Sequence, residues 1–258
     1  MAGVQVPITT GLLLNLDAWD LGDTYADAAE VTTWAARTGA NWTGVGASGK
    51  PLYDENGING NPCIQIEDAK TQYMESATEF MVGKTEGEIF LVVQAANDPA
   101  ANQNDSGLWG WNTADFSVHF PFTNGQLYEN FGRANRVATG NPTDPLDSPV
   151  IPYNVISKSG EWTVNINGTQ HYTTGTNTVS FATASANHRV GRAHSATDNF
   201  FGRISQVLVY DTVMSAGDRA TMQTWLDLYW KVGGGPSAVP STGGATHSRL
   251  NLGLGLGF

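Results

Sequence analysis

Apolar residues alternate with polar ones over short stretches of the chain, and Gly, Asn, Asp and Pro separate these stretches. A period of two is typical of β-strands that bury one face. The stretches that predict strands span residues 12–16, 63–66, 72–76, 89–93, 116–122, 126–131, 162–166 and 204–210. The continuous apolar run Ile89 to Val93 predicts a strand that is covered on both faces. We also expect 63–66 and 72–76 to pair across the short polar turn between them.

Two Asn-Gly pairs predict tight hairpin turns, because both central residues of such a turn take positive φ angles. Asn124-Gly125 separates the stretches 116–122 and 126–131, so these two stretches are expected to form one hairpin. Asn167-Gly168 ends the stretch 162–166 and predicts a second hairpin. Most of the chain is therefore predicted to be antiparallel β structure.

One segment near the end of the chain has helical periodicity. Its apolar residues are spaced i, i+3, i+4 and i+7, at Met222, Trp225, Leu226 and Tyr229. Ser215 is placed to cap the N-terminus, and Asp218 follows three residues later, where it suits the positive end of the helix dipole. Gly233 and the residues after it are expected to end the helix. We expect its apolar face to pack on the edge of a β-sandwich formed by the strands.

The chain divides into a main body with two short ends. Residues 1–10 are an N-terminal arm, 11–232 the β domain, and 233–248 a linker rich in Gly, Ser, Pro and Thr. The tail 249–258 alternates large apolar residues with small ones, and its large residues are Leu250, Leu252, Leu254, Leu256 and Phe258. Such a tail cannot bury its own side chains, so we expect it to anchor the protein to another chain or to a copy of itself. The alternative is that it folds back onto its own domain.

Composition and charge exclude several classes of function. Only 14% of the residues are charged and the net charge is −11 with no basic run, so nucleic acid and anionic membrane surfaces are not expected as partners. No stretch has the length of a membrane span, and residues 1–7 lack the features of a signal peptide. We expect a soluble protein that leaves the cell by host lysis or by a signal-independent route.

Cys63, the single cysteine, lies in an apolar run and is expected to be a buried structural thiol.

The order of motifs resembles the laminin-G-like jelly-roll domains of the concanavalin A-like lectin and glucanase superfamily. The motifs that carry the resemblance are Leu12 to Ala18, Val31 to Gly39, Lys50 to Pro62, Gln72 to Met74, Val190 to Arg192 and Phe201 to Asp211. The most specific is Gly-x-Ile-x-x-Val-x-Val-Tyr at Gly202 to Tyr210, followed by the closing helix. The resemblance implies an all-β, two-sheet antiparallel jelly-roll sandwich with one C-terminal amphipathic helix.

The resemblance implies a scaffold, and function depends on the sites it carries. Members include sugar-binding modules, adhesion modules, some glycoside hydrolases and domains on bacteriophage particles. We expect a bacteriophage virion structural protein, either a capsid decoration protein or a tail or fibre module, located on the virion surface. Its partners would be other virion proteins or copies of itself, bound through the tail, with cell-surface glycans bound by the jelly-roll head. The alternatives are an extracellular bacterial carbohydrate-binding or adhesion module and a glycoside hydrolase.

The distribution of acidic residues argues against catalysis. Retaining glycosidases need two carboxylates about 5 Å apart, and in the catalytic branch of the superfamily these lie on one strand as Glu-x-Asp-x-x-Glu or a variant. No strand of this chain has that motif. Glu86 and Glu88 are spaced i, i+2 but lie where a covered strand begins, and Glu129 stands alone. The five histidines have no metal-ligand spacing. We therefore expect no enzyme activity.

The best local candidate for glycan binding is the segment from Trp109 to Asp115. On a strand, Trp109 and Trp111 share one face, and Asn112 and Asp115 lie nearby to supply hydrogen bonds. The next hairpin could complete a concave face with three further candidates, Tyr128, Asn130 and Arg133. The alternative is that both tryptophans belong to the core.

Calcium is the one metal for which the sequence suggests a binding site. Many relatives in the superfamily hold calcium at the rim of the sandwich, and calcium prefers carboxylate, amide and carbonyl oxygens. Residues of these types crowd one loop, at Asp98, Asn102, Asn104 and Asp105. A solvated polar loop explains the same residues. No other cofactor is expected.

Overall fold

The larger of two antiparallel sheets takes its strands from the beginning, middle and end of the described chain. A computed structural model describes residues 5–67, 71–100, 107–110, 118–181, 188–193 and 199–231. The eight strands of this sheet are β1 (Leu12–Asp17), β4 (Leu52–Ile58), β5 (Asn61–Ile66), β7 (Glu86–Ala95), β11 (Val150–Lys158), β12 (Glu161–Ile166), β13 (Thr169–Thr174) and β15 (Gly202–Tyr210). Their order is β13-β12-β11-β7-β15-β5-β4, and β1 also pairs with β15. The central strands β7, β11 and β15 are almost entirely buried.

The second sheet is smaller and is completed by a two-stranded ribbon. Its five strands, in spatial order, are β2 (Thr33–Trp34), β3 (Trp42–Val45), β6 (Tyr73–Ser76), β14 (His188–Val190) and β8 (Trp109–Gly110). The ribbon consists of β9 (Leu127–Glu129) and β10 (Val137–Gly140). Isolated backbone bridges join Gly107 to His119 and His119 to Tyr128, so the ribbon continues the second sheet. The all-β sandwich predicted from the sequence is confirmed.

Aromatic side chains from both sheets meet in the core. The ring of Tyr153 on β11 packs against Trp109 on β8 at 5.5 Å between centroids and against Phe120 at 5.0 Å. All three side chains are fully buried, as are Trp34 and Cys63. Burial raises the pKa of the Cys63 thiol to about 12, as expected for a structural cysteine.

The closing helix covers the outer face of the larger sheet, over β7 and β11, and not the edge of the sandwich where it was predicted. α1 spans Ala216–Leu226 and continues as a π-helical turn over Asp227–Lys231. The Ser215 side chain accepts a hydrogen bond from the Asp218 backbone N–H, which confirms the predicted N-cap. In the turn, Tyr229 donates to Asp17 Oδ2 at 3.1 Å, and Trp230 Nε1 donates to Gln206 Oε1 at 2.6 Å. The end of the described chain is thereby fixed to β1 and β15.

The described part of the N-terminal arm also contacts the domain. Val6 is buried in the core, and the Ile8 carbonyl accepts a hydrogen bond from Tyr210 at 3.0 Å. Among the described residues, no helix combines the length and apolar character that a membrane crossing would require.

One predicted strand pair is wrong. The stretches 63–66 and 72–76 do not form a hairpin, because β5 pairs with β4 and β15 in the larger sheet while β6 pairs with β3 and β14 in the second sheet. The chain crosses from one layer of the sandwich to the other between them. Both stretches have a buried face, and a period of two gives no information about which sheet that face belongs to.

The β4–β5 turn gives a first testable prediction. Gly60 has φ +73 and an added Cβ would meet no atom within 4 Å, so Gly60→Ala tests backbone strain without a clash. We expect a loss of about 1 kcal/mol in the free energy of unfolding, measured by denaturant titration. Gly175→Ala is the control because Gly175 lacks a positive φ and also has space for a Cβ. Equal effects of the two changes would contradict the prediction.

Candidate functional site

Partly exposed aromatic rings occur on the outer side of the second sheet, where the ribbon joins it. Backbone bonds between His119 and Tyr128, at 3.0 and 3.2 Å, set the two strands side by side. The ring of Tyr128 packs against His119 and Phe122, in both cases with centroids 5.4 Å apart. The Tyr128 hydroxyl donates to Gln126 Oε1 at 3.1 Å. Phe122 and Tyr128 are half-buried, so part of each ring faces solvent.

An arginine completes this group. The guanidinium carbon of Arg136 lies 4.7 Å from the centre of the Tyr128 ring, a cation–π geometry. Arg136 Nη1 is 2.9 Å from His119 Nε2. Because a guanidinium can only donate, His119 Nε2 is the acceptor in this contact. We call His119, Phe122, Tyr128 and Arg136 the Tyr128 cluster. It presents apolar ring surface and N–H donors together, the two features that sugar binding uses.

A second arginine–tyrosine group lies on the same outer face. Arg189 on β14 pairs with Glu75 on β6, and its guanidinium carbon is 5.4 Å from the centre of the Tyr73 ring. Arg192 approaches the same ring at 4.9 Å. Tyr73 itself is only 7% exposed, whereas both arginines are partly exposed. This group therefore offers charge and hydrogen bonds but little ring surface.

Beneath the Tyr128 cluster, Glu129 points the opposite way, into the core. Its Oε1 accepts hydrogen bonds from Trp109 Nε1 at 3.1 Å and from the backbone N–H groups of Asn130 and Phe131 at 2.8 Å. Its Oε2 accepts from the Tyr153 hydroxyl at 2.8 Å. Burial raises the pKa of Glu129 to about 7 in spite of these four donors. The carboxyl is fully buried, so its role in the described structure is to hold the ribbon and β8 together.

The structure corrects the predicted glycan site. Trp109 is fully buried and bonded to Glu129, so it cannot serve as an exposed platform, and the alternative reading of a core tryptophan is the correct one for it. Asn130 is 5% exposed. Arg133 lies elsewhere, with its guanidinium 5.1 Å from the Trp162 ring. Of the described candidates, only Tyr128 belongs to the Tyr128 cluster.

Three further candidates, Trp111, Asn112 and Asp115, lie outside the described residues. His119, Phe122 and Arg136 were not predicted from the sequence as binding residues. The alternation over 116–122 placed Phe120 and Phe122 on one face, yet Phe120 is in the core and Phe122 contacts His119 outside. Pro121 lies between them and cannot continue a ladder of hydrogen bonds, which was the available signal for a break in the strand.

The calcium prediction stays a prediction. Asp98 Oδ2 accepts a hydrogen bond from the Leu146 backbone at 2.8 Å. Asn102, Asn104 and Asp105 lie outside the described residues. Within the described ranges, no three His, Cys, Asp or Glu side chains are grouped so that they could hold a metal ion.

Comparison with known proteins places the fold among parts of carbohydrate-active proteins. No family model and no curated protein matches the sequence. Domain 4 of a GH43 extracellular arabinanase from Geobacillus stearothermophilus, solved in complex with arabinotriose, is similar with a TM-score of 0.60 at 13% identity. That similarity covers 84% of this chain and 100% of that domain.

Two longer proteins are similar over part of their length. Trypanosoma rangeli sialidase in complex with sialic acid has a TM-score of 0.54 at 16% identity, covering 88% of this chain and 34% of the sialidase. A GH54 α-L-arabinofuranosidase has a TM-score of 0.52 at 11% identity, covering 83% of this chain and 58% of that protein. The chain therefore spans about a third of the sialidase and somewhat over half of the arabinofuranosidase.

These similarities correct the expectation that the chain has no enzyme activity. That expectation is contradicted, because the solved structures that share this fold include glycoside hydrolases and sialidases. The absence of the Glu-x-Asp-x-x-Glu motif argues only against the catalytic branch that carries this motif. It does not apply to other proteins that have such a sandwich. At these identities the likeness shows the fold alone and assigns no reaction to the chain.

Proposed function

We propose that this domain binds glycans through the outer face of the second sheet, at the Tyr128 cluster. The observation that carries the proposal is the combination of two partly exposed aromatic rings with the Arg136 guanidinium. A pyranose or furanose ring has an apolar face and a rim of hydroxyls. The rings can pack against that face, and the guanidinium can donate hydrogen bonds to the hydroxyls.

The comparisons support the class of ligand. An isolated domain of the same fold was solved with arabinotriose, and its whole length is covered by the similarity to this chain. A second support is the neighbouring group of Arg189, Arg192 and Glu75, which places further donors and acceptors on the same face. The net charge of −11 does not oppose this role, because neutral glycans carry no charge to repel.

Glycan binding is tested with a labelled sample of the full chain on a glycan microarray, followed by calorimetry with the best ligand. We expect Phe122→Ala and Arg136→Ala each to weaken binding at least tenfold, since each removes one of the two recognition features. Tyr128→Phe should change the affinity less than threefold, because it keeps the ring and loses only the hydroxyl.

Arg203→Ala is the matched control. Arg203 is 40% exposed and lies on β15, in the other sheet, where it pairs with Asp54 at 3.3 Å. Its replacement should leave the affinity unchanged. The proposal is wrong if no glycan on the array binds. It is also wrong if the Phe122 and Arg136 variants, shown to be folded by circular dichroism, bind as tightly as the Arg203 variant.

A further inference from the structure

A groove of about 540 Å³ lies on the outer face of the larger sheet, beside α1. One wall is the helix, and the floor is formed by outward-facing residues of β11, β12 and β13. We call this the helix groove. Its volume falls within the range of roughly 300–1,000 Å³ that is usual for small-molecule sites. It faces away from the second sheet and from the Tyr128 cluster.

The helix sequence explains why space is left here. Ala216, Arg219, Ala220 and Gln223 are spaced i, i+3, i+4 and i+7, so they share the face of α1 that lines the groove. Met222, Trp225 and Leu226 form the buried face that holds the helix against the sheet. The two alanines are too short to reach the floor, so the space between helix and strands stays open.

Beside the apolar Phe90 and Ile156, the floor carries polar side chains that are fixed by hydrogen bonds. Asn154 Nδ2 donates to Glu88 Oε1 and to the Ile89 carbonyl, both at 3.0 Å, and its Oδ1 accepts from Asn165 Nδ2 at 2.7 Å. A second pair, Thr163 and Thr173, joins β12 to β13 with 2.8 Å between the hydroxyl oxygens. These groups would not need to reorganise in order to meet a ligand.

Two amide oxygens are held in place as acceptors. The Asn165 amide nitrogen donates to Asn154, which fixes the orientation of the Asn165 Oδ1. The Gln223 amide nitrogen donates to the Ile151 carbonyl at 3.0 Å and to Asp227 Oδ1 at 2.9 Å, which fixes its Oε1. Both residues line the groove, one from the floor and one from the helix. Ligands that donate hydrogen bonds therefore suit this surface.

The charges around the groove cancel. Arg219 pairs with the buried carboxylate of Glu88 at 2.6 Å, and Glu161 pairs with Lys158 at 2.8 Å. The chain as a whole is acidic, which disfavours polyanions. An apolar ligand would cover the floor amides without pairing them, at a cost in free energy. A neutral ligand with many hydroxyls avoids both penalties.

We infer that the helix groove is a second binding site, for a short neutral saccharide chain. Saccharide hydroxyls donate and accept at once, and they match a lining of fixed amide oxygens and threonine hydroxyls. This site is independent of the Tyr128 cluster and lies on the opposite face of the sandwich, so one domain would contact glycans on two faces.

The test is an NMR titration of the ¹⁵N-labelled full chain with four probes: arabinotriose, xylotriose, maltotriose and cellotriose. At least one probe should shift the backbone amides of Gly168 and Gln170 in a saturable way. Ala220→Trp fills the groove from the exposed side of the helix and should weaken this binding at least tenfold. Thr221→Trp adds the same side chain next along α1, outside the groove lining, and should leave the binding unchanged. Asn165→Ala is the second variant and should weaken binding without adding bulk.

The outcomes separate this site from the proposed function. Arg136→Ala should leave the shifts of Gly168 and Gln170 intact, and Ala220→Trp should leave array binding by the Tyr128 cluster intact. The inference is overturned if none of the four probes shifts these amides at 20 mM, or if the shifts persist in both Ala220→Trp and Asn165→Ala. A Thr- and Gln-rich peptide is titrated as a fifth probe. Saturable shifts with this peptide alone would also overturn the inference, in favour of peptide addition to the edge strand β13.

Discussion

Replacing Arg219 with methionine is expected to lower the free energy of unfolding by about 3–5 kcal/mol at pH 8. The reason is the carboxylate of Glu88, which is fully buried in the middle of the larger sheet. It accepts hydrogen bonds from Arg219 Nε at 2.6 Å and Nη2 at 3.1 Å. The neutral donors Met214 N–H and Asn154 Nδ2 complete its environment. Without the guanidinium, a buried negative charge keeps only neutral partners.

The pair also attaches the helix to the sheet. Arg219 donates to the Met214 carbonyl at 2.9 Å, just before the N-cap, so its loss loosens the start of α1 as well. Chemical denaturation measures the effect. Arg203→Ala, at a pair that is partly exposed, should cost less than about 1 kcal/mol.

A double variant checks the cause. Glu88→Met combined with Arg219→Met replaces both charges with apolar side chains and should recover most of the stability lost in Arg219→Met alone. Equal stability of the single and the double variant would mean that the loss comes from packing and not from an unpaired charge. A loss below 1 kcal/mol in Arg219→Met would contradict the prediction outright.

Local patterns in the sequence were enough to predict much of the larger sheet. The hairpin of β12 and β13 followed from alternation up to Asn167-Gly168, and both turn residues have positive φ in the structure. α1 followed from its spacing of apolar residues and from Ser215. These features depend on neighbours within a few residues. The assignment of β5 and β6 to one hairpin was wrong because the choice of sheet depends on partners far along the chain.

The candidate site was harder to predict because it combines distant segments. Arg136 reaches Tyr128 from the loop before β10, and nothing in the spacing of these residues indicates that contact. The sequence left Trp109 open between a surface site and the core, because a spacing of i, i+2 shows a shared face but not which face. The partner that settles its direction is Glu129, 20 residues away in sequence. A lone acidic residue in a strand was the available signal for a buried bonded carboxyl.

The ends of the chain and the biological setting stay predictions. Leu250, Leu252, Leu254, Leu256 and Phe258 lie outside the described residues. So do the linker 233–248 and its boundary with the tail. The anchoring role of the tail and the place of this domain on a virus particle therefore rest on the sequence alone, whereas glycan binding has the support of the surface described above.

Replacing Glu129 with glutamine is expected to stabilise the protein at pH 9 and to have little effect at pH 5. Burial raises the pKa of Glu129 from 4.5 to about 7, so the folded protein holds this proton between those values while the unfolded chain releases it. The stability that the proton contributes is complete below pH 4.5 and is lost as the pH rises through about 7. The difference amounts to something on the order of 3 kcal/mol.

Glutamine reproduces the protonated carboxyl at every pH. Its Oε1 can accept from Trp109 Nε1 and from the N–H groups of Asn130 and Phe131, as the carboxyl does. Its amide nitrogen can donate to the Tyr153 hydroxyl, just as a protonated Oε2 would. The variant therefore keeps the three hydrogen bonds to Oε1, reverses the bond with Tyr153, and removes the charge that burial makes costly.

The comparison between variants is needed because other buried groups titrate in the same range. Burial raises the pKa of Asp17 to about 6, which lowers stability as the pH rises, and lowers that of His188 to about 4, which acts in the opposite direction. Both contributions cancel when wild type and Glu129→Gln are measured at the same pH. Glu79→Gln, at an exposed position, is the control for the removal of one carboxylate outside the core. An equal difference at pH 5 and pH 9 for Glu129→Gln would show that the Glu129 carboxyl is not protonated by burial, and the core around Trp109 would then have to accommodate a charge.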